Sequence, residues 1–250
     1  QLILLEVKDL KYWKDGKFDF ADNSRKSIFV FAVYGKVAIA YNPTLLEPQR
    51  AQEISYWDLA NPELKGKVIL RDPRTAGPGQ TSFLFLYAHP QLGPDMIRAL
   101  AKNDPVLTRD DRQLLEWISV GKFAVGIGHS DLQLAELRKL GVPNIKTQPL
   151  LKEGTYTTAG FSSLMVFADP PHPSAAKVYL NWLLSKEGQI LWTTASNYPS
   201  RRTDMDDVIA KYSDPEAIIK PAITYINTYS EDSLAVRDKL VPLLNEVFGR

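Results

Sequence analysis

Val68-Ile69-Leu70 leads into Asp72-Pro73-Arg74-Thr75-Ala76-Gly77-Pro78-Gly79-Gln80-Thr81, and that leads into the apolar stretch 82–88. A short β-rich run, a Gly/Pro loop and an apolar helix in this order form a strand–loop–helix unit. The pattern recurs downstream. Thr108-Arg109-Asp110-Asp111 caps a helix whose core side carries Leu114, Leu115 and Ile118, and Gly121 ends it. Phe123-Ala124-Val125-Gly126-Ile127 is the next strand, and Ser130-Asp131 starts a helix that closes at Gly141 before Pro143. Upstream, Ser55-Tyr56-Trp57-Asp58 has the capping-box spacing for a short helix stopped by Asn61-Pro62. Alternating strands and helices over 55–143 predict an α/β module with a largely parallel sheet.

On either side of this module lies an apolar crossing. Before it, 28–33 and 37–41 read as strands buried on both faces, or as one long strand broken at Gly35 and ended by Asn42-Pro43. After it, Leu164-Met165-Val166-Phe167 is a second crossing, followed by Pro170-Pro171-His172-Pro173 and two helices, 174–184 and 185 onward. Residues before 28 form a polar, aromatic loop containing Tyr12, Trp13, Phe18 and Phe20, and the tail from Met205 is mostly helical. The two crossings predict two lobes joined by extended strands, with hinges at 34–37 and 157–162. A ligand cleft lies between such lobes. The expected division assigns 1–40 and 158–200 to the first lobe, 41–157 to the second, and 201–250 to a C-terminal helical segment.

Composition narrows the function classes. The chain has 250 residues, 44% apolar and 24% charged, which suits a folded protein and excludes a collagen, a coiled coil or a disordered tail. Thirty basic against 29 acidic residues leave a net charge of +1, without the basic excess of a nucleic-acid binder. No stretch approaches the ~20 apolar residues of a membrane span. The absence of cysteine excludes disulfides, zinc–thiolate sites, iron–sulfur clusters and a cysteine nucleophile. Three histidines, two of them (His89 and His172) before prolines, cannot build a histidine-rich metal cage. No Gly-x-Ser-x-Gly elbow, Walker loop or paired His/Glu motif occurs, and no cofactor is expected. The first residues, Gln1 to Glu6, lack the basic region and cleavage site of a signal peptide.

Five segments in order carry a resemblance. They are Tyr56-Trp57-Asp58-Leu59-Ala60-Asn61-Pro62-Glu63-Leu64-Lys65-Gly66-Lys67-Val68, Asp72-Pro73-Arg74-Thr75-Ala76-Gly77, Gly121-Lys122-Phe123-Ala124-Val125-Gly126-Ile127-Gly128, His172-Pro173-Ser174-Ala175-Ala176 and Trp182-Leu183-Leu184-Ser185-Lys186-Glu187-Gly188-Gln189. Together, over about residues 20–205, they resemble the periplasmic solute-binding proteins of ABC importers, in the iron(III)-type branch. The resemblance implies an α/β, two-lobed type II periplasmic binding fold with mostly parallel sheets and flanking helices. It implies capture of a small-molecule or chelated-metal solute by a periplasmic monomer that does not itself span the membrane or bind nucleic acid, and delivery to a membrane permease. Against the family pattern, the chain opens near the end of the usual first β-α-β-α part, so the first lobe is expected to be incomplete at its N-terminus. The branch's adjacent tyrosine pair is also replaced by Ser130-Asp131, so its iron ligands do not carry over and the metal is unknown.

The candidate ligand-binding residues are Tyr34, Thr75, Gly77, Gly79, Gln80, Arg109, Ser130, Asp131 and Tyr198. The 72–81 loop feeds a helix N-terminus, where unpaired N–H groups and the dipole suit an anion, and Thr75 and Gln80 add donors. Equally, its glycines can serve only a tight turn; the resemblance favours the ligand reading. Ser130-Asp131 is a good N-cap pair at the edge where open α/β sheets bind ligands. Arg109 opposes the dipole of the helix it precedes. Either an anionic ligand or exposed pairing with Asp110 and Asp111 answers that. Tyr34 with Gly35 is a hinge, a cleft wall or a turn with a packed aromatic. Tyr198 lies on a segment similar to the one that returns to the family's cleft, while Arg202 reads as surface. Trp182 and Trp192 sit at helical spacing among leucines and read as core. The alternative function is an α/β transferase-like enzyme in the same cleft, with His129 and Asp131 as an acid/base pair.

Overall fold

The chain passes from one unit to a second between Gly35 and Lys36, and returns between Tyr156 and Thr157. The computed structural model describes residues 10–13, 19–160 and 162–249; Phe18, the first residues and Phe161 lie outside them. The first unit comprises Gln1–Gly35, Thr157–Pro221 and Tyr229–Glu231, and the second Lys36–Tyr156, Ala222–Thr228 and Asp232–Arg250.

In chain order the strands are β1 (Phe29–Val30), β2 (Tyr34–Gly35), β3 (Ile39–Tyr41), β4 (Val68–Arg71), β5 (Val106–Thr108), β6 (Val125–Ile127), β7 (Lys146–Gln148), β8 (Thr155–Thr158), β9 (Ser163–Leu164) and β10 (Tyr225–Asn227). The helices are α1 (Pro48–Glu53), α2 (Pro78–Ala88), α3 (Gly93–Lys102), α4 (Asp111–Ser119), α5 (Asp131–Lys139), α6 (Pro173–Leu183), α7 (Lys186–Ser196), α8 (Asp206–Tyr212), α9 (Glu231–Ala235) and α10 (Arg237–Phe248). Ser55–Asp58 forms its capping box, with the Ser55 N–H donating to Asp58 at 2.8 Å and the Ser55 hydroxyl accepting from Trp57, and it opens a 3-10 turn, Trp57–Ala60.

The second unit is built on a five-stranded sheet in the order β5-β4-β6-β3-β7. β4 runs parallel to β5 and β6, as the strand–helix alternation predicts, because helical crossovers join them. β3 is antiparallel to both its neighbours, so the parallel arrangement stops at β6. α5 links β6 to β7 and makes those two strands point the same way, and β3 fills the slot between them from the opposite direction. Strand residues alternate between faces. Ile39, Tyr41, Val68, Leu70, Val125 and Ile127 face the core under α2, α3 and α10, where Phe83, Phe85, Ile97 and Leu244 are buried. Ala40 and Ile69 face the core under α4 and α5, with Leu114, Leu115, Ile118 and Leu134. Both faces of the central strands β3, β4 and β6 are therefore dry, which explains their continuous apolar runs.

α2 starts at Pro78, four residues before the apolar stretch that marks it in the sequence. Pro78 is preset for a first helical position. A Cβ on Gly79 would overlap the Arg71 carbonyl, and one on Gly128 (φ +79°) would lie 2.8 Å from the Gly79 Cα. These two glycines let the start of α2 sit against the ends of β4 and β6.

In the first unit β1 pairs with β9, and β2 with β8 at Tyr34↔Thr158 and Gly35↔Thr157, all antiparallel. Trp13, Phe29, Phe31, Leu180 and Leu184 form its core. The return crossing is not the apolar 164–167, where Met165 and Phe167 are 64% and 78% exposed. It is β8, Thr155-Tyr156-Thr157-Thr158, buried throughout despite its hydroxyls. A polar strand tolerates burial here because its groups are bonded: the Thr155 hydroxyl donates to the Lys36 carbonyl at 2.7 Å, and the Lys36 N–H donates to the Tyr156 carbonyl at 2.9 Å. Trp192 packs on Phe31 as expected, but Trp182 is 43% exposed. Helical spacing puts it beside Val178 on the side of α6 away from the buried Leu180 and Leu183. Arg202, read as surface, is buried with its guanidinium on Asp204 and the Leu184 carbonyl. Residues 201–221 belong to the first unit, whereas α10 packs in the second.

Candidate functional site

Because β4, β5 and β6 are parallel, their carboxyl ends share one edge of the second unit's sheet, the edge where open α/β folds bind ligands. Three turns leave it: Asp72 to Gly77, Thr108 to Asp110, and Gly128 to Ser130.

Asp72 is the electrostatic centre of the first turn. Its carboxylate is buried and accepts Arg74 Nε at 2.9 Å, Arg74 Nη2 at 3.0 Å and Arg109 Nε at 3.1 Å. The Arg74 fork holds its pKa down to about 2. Arg109 is thus anchored from β5 across to β4, and neither Asp110 nor Asp111 is its partner. Asp110 caps α4 by accepting from the Gln113 N–H at 3.0 Å. Asp111 accepts Arg71 Nε at 3.2 Å, and burial raises its pKa. The Arg109 side chain stays 70% exposed.

Thr75 is partly buried and uses its hydroxyl within the turn, donating to the Asp72 carbonyl at 3.1 Å. Gly77 is the cap of α2, at φ 139°, a conformation that favours glycine. Gly79 and the buried Gln80 are in the helix's first turn.

On the third turn, the Ser130 hydroxyl caps α5 by accepting from Gln133. Asp131 Oδ2 receives Lys36 Nζ at 2.5 Å, both side chains being 7% exposed. The other Asp131 oxygen and both ring nitrogens of the fully buried His129 have no hydrogen-bond partner, and His129 Nε2 lies 3.8 Å from that oxygen. Burial, with Lys36 and Arg138 adding to it, pulls the His129 pKa down to about 3. The imidazole is therefore neutral near pH 7 and is a poor match for general acid/base work with Asp131. Lys36 was not among the candidates. Its signal is a lone basic residue between two apolar runs. Among the described residues no group of three or more His, Cys, Asp or Glu is placed to hold a metal ion.

Tyr34 and Tyr198 lie in the first unit. Their rings stack with centroids 3.7 Å apart and planes 3° off parallel, packed with Ala217. Gly160 (φ +51°) makes room for the Tyr34 hydroxyl, which a Cβ there would overlap. The candidates thus fall into two sets: seven in the second unit around one sheet edge, and two stacked in the first.

The family of bacterial extracellular solute-binding proteins matches residues 4–190. An uncharacterized protein of Haemophilus influenzae is 29% identical over 172 residues, 66% of this chain and 48% of that protein, so the chain spans about half the length of this relative. Iron-bound HitA from Pseudomonas aeruginosa is similar in structure, with a TM-score of 0.70 and 18% identity over 98% of this chain and 79% of that one. AfuA from Actinobacillus pleuropneumoniae, with exogenous fructose-6-phosphate bound, gives 0.70 and 18% over 96% and 74%. A ferric binding protein from Campylobacter jejuni gives 0.69 and 17% over 97% and 77%. At these identities the structures establish a shared fold, that of the type II periplasmic binding proteins. No helix among the described residues is long and apolar enough to cross a membrane. With the family matched over three quarters of its length, the chain belongs to the bacterial extracellular solute-binding proteins.

Proposed function

We propose that this protein is the substrate-binding component of an ABC import system, which captures a small anionic or chelated solute in the periplasm as a monomer and delivers it to a membrane permease. Family membership supports the transport role. One observation carries the anionic solute: Arg109 stands 70% exposed at the sheet edge, with only its Nε engaged, on Asp72. Its remaining N–H groups suit phosphate or carboxylate oxygens, and the first turn of α2 adds a positive dipole end nearby. Asp72 keeps its Arg74 fork when Arg109 turns to a ligand. Iron in HitA and fructose-6-phosphate in AfuA suggest two probes, since a ferric–citrate chelate and a sugar phosphate both present anionic oxygens.

The test is calorimetric titration with inorganic phosphate, fructose 6-phosphate and ferric citrate, with native mass spectrometry of freshly purified protein. The expected result is saturable one-to-one binding of one probe, or of a co-purified anion, weakened about tenfold or more in Arg109→Ala. The ligand should be recovered unchanged. Binding that ignores Arg109→Ala, or no bound anion by either method, overturns the anionic reading. Steady conversion of the ligand to a product restores the transferase alternative.

A further inference from the structure

The buried carboxamide side chains among the described residues are those of Asn42, Gln80, Asn103 and Gln189. Asn42, Asn103 and Gln189 each donate to a backbone carbonyl, at 2.7, 3.0 and 2.8 Å, as buried amides ordinarily do. Gln80 is the exception. It is 7% exposed, yet neither its amide oxygen nor its amide nitrogen has a hydrogen-bond partner among the described residues. Neither atom is sealed, so the small exposed part of the residue includes both. Gln80 is the third residue of α2. Helical side chains lean toward the N-terminal end, which carries the amide over the first turn of α2 at the sheet edge. There the backbone N–H groups of Gly77, Gly79 and Gln80 also have no acceptor among the described residues.

The N–H groups of this turn, and those of Arg109 not used on Asp72, take anionic oxygens. The Gln80 amide differs from them because it also carries an acceptor. A solute that presents only acceptor oxygens leaves the amide oxygen unanswered once water is displaced, at the cost of an unmade buried hydrogen bond. An ammonium is a poor answer. It would face the positive end of α2, and the carboxylates of Asp72, Asp111 and Asp131 are already paired with Arg74, Arg71 and Lys36, while Asp110 caps α4. A hydroxyl answers without charge, by giving its hydrogen to the amide oxygen, and the amide nitrogen stays available to a second solute oxygen. Given the anionic solute proposed above, we infer that Gln80 is a specificity-determining residue of this site and that the solute is a hydroxylated anion, as in a polyol phosphate or a hydroxycarboxylate.

The experiment is calorimetric titration of the full chain with two matched pairs. Glycerol 3-phosphate is compared with propyl phosphate, which lacks its hydroxyls, and citrate with tricarballylate, which is citrate without its hydroxyl. In the pair that binds, the hydroxylated member should be at least about tenfold tighter, because a site built to bond a hydroxyl rejects the analogue without it. Gln80→Met, similar in length and without the amide, should weaken the hydroxylated member about tenfold and leave the other unchanged, with circular dichroism showing that the fold is kept. Arg109→Ala should weaken both members by a similar factor. Equal binding of the two members, or a preference that survives Gln80→Met, overturns the role of Gln80 and leaves the anionic solute standing. If no member of either pair binds at millimolar concentration, or if binding ignores Arg109→Ala, both fall together.

Discussion

Lys36 and Asp131, 95 residues apart in the chain, meet at 2.5 Å with both side chains buried. Lys36 is the first residue of the second unit, and its backbone is tied to Thr155 and Tyr156. Asp131 opens α5. The pair therefore fastens the start of α5 to the point where the chain enters the unit. It also keeps Asp131, a candidate ligand contact, occupied by an internal cation. Removing one partner of a buried pair leaves an uncompensated charge, which typically costs about 3–5 kcal/mol. Lys36→Met should lower the unfolding free energy by about that amount in urea titration. The double variant Lys36→Met/Asp131→Leu should recover most of the loss. A single variant as stable as the parent would show that the pair does not hold α5.

His129 makes stability depend on pH, and between about pH 7 and 5 few other side chains titrate. Its folded pKa is about 3 against an ordinary value of 6.5. Between these values the unfolded chain binds a proton that the folded chain does not, so stability is fully present above pH 6.5 and is lost as pH falls toward 3. The slope from this one group approaches about 1.4 kcal/mol per pH unit. Urea midpoints at pH 7.5, 6 and 5 should fall more steeply for the parent than for His129→Leu. Parallel curves would mean that His129 is not buried as the structure has it.

Asp72 acts at lower pH. Its folded pKa of about 2 lies below the usual 3.8, chiefly through the Arg74 hydrogen bonds. Its contribution is present above pH 3.8 and is lost as pH falls from there toward 2. Arg74→Met should remove that acid-side loss and destabilise the protein at neutral pH, whereas Arg109→Ala should change neutral stability by less than about 1 kcal/mol, as exposed pairs do. If Arg109→Ala is the more damaging change in denaturant titration, the roles of the two arginines are reversed.

Gly79 allows close packing at the candidate site. A Cβ there meets the Arg71 carbonyl, and backbone cannot yield as a flexible side chain does. Gly79→Ala should therefore destabilise by about 1–3 kcal/mol, in the manner of an overpacked core, although alanine is the better helix former. A stabilised variant in thermal melts would contradict the close approach of α2 to β4.

We expect that this chain does not bind bare ferric iron through a tyrosine cluster. Ferric iron favours hard oxygen donors, and Asp131, the carboxylate among the candidate residues, is engaged by Lys36. Titration with ferric nitrilotriacetate should give no visible phenolate charge-transfer band. A coloured one-to-one complex that bleaches in Tyr34→Phe or Tyr198→Phe would reverse this conclusion.

The sequence by itself determined the strand and helix alternation from β4 to α5. Strand, loop and helix alternate over 55–143 because buried parallel strands must be apolar on both faces and helices must be capped, and both requirements leave local marks. Ser130 and Asp110 are caps that spacing alone identifies. Family segments in order carried the class of protein. Four things were decided only by tertiary structure. The chain returns at the start of the hinge expected at 157–162, but the burial of β8 there shows only once the Thr155 hydroxyl and the Tyr156 carbonyl find partners on Lys36. Arg109 is explained by Asp72, 37 residues away, because parallel pairing of β4 with β5 brings their ends together. The stacking of Tyr34 on Tyr198 and the engagement of Lys36 with Asp131 join residues more than 90 positions apart. A local pattern records how a residue meets its own helix or strand. It does not record which distant side chain completes a buried charge or covers a buried ring, because that choice is made by the packing of elements that do not adjoin in the chain.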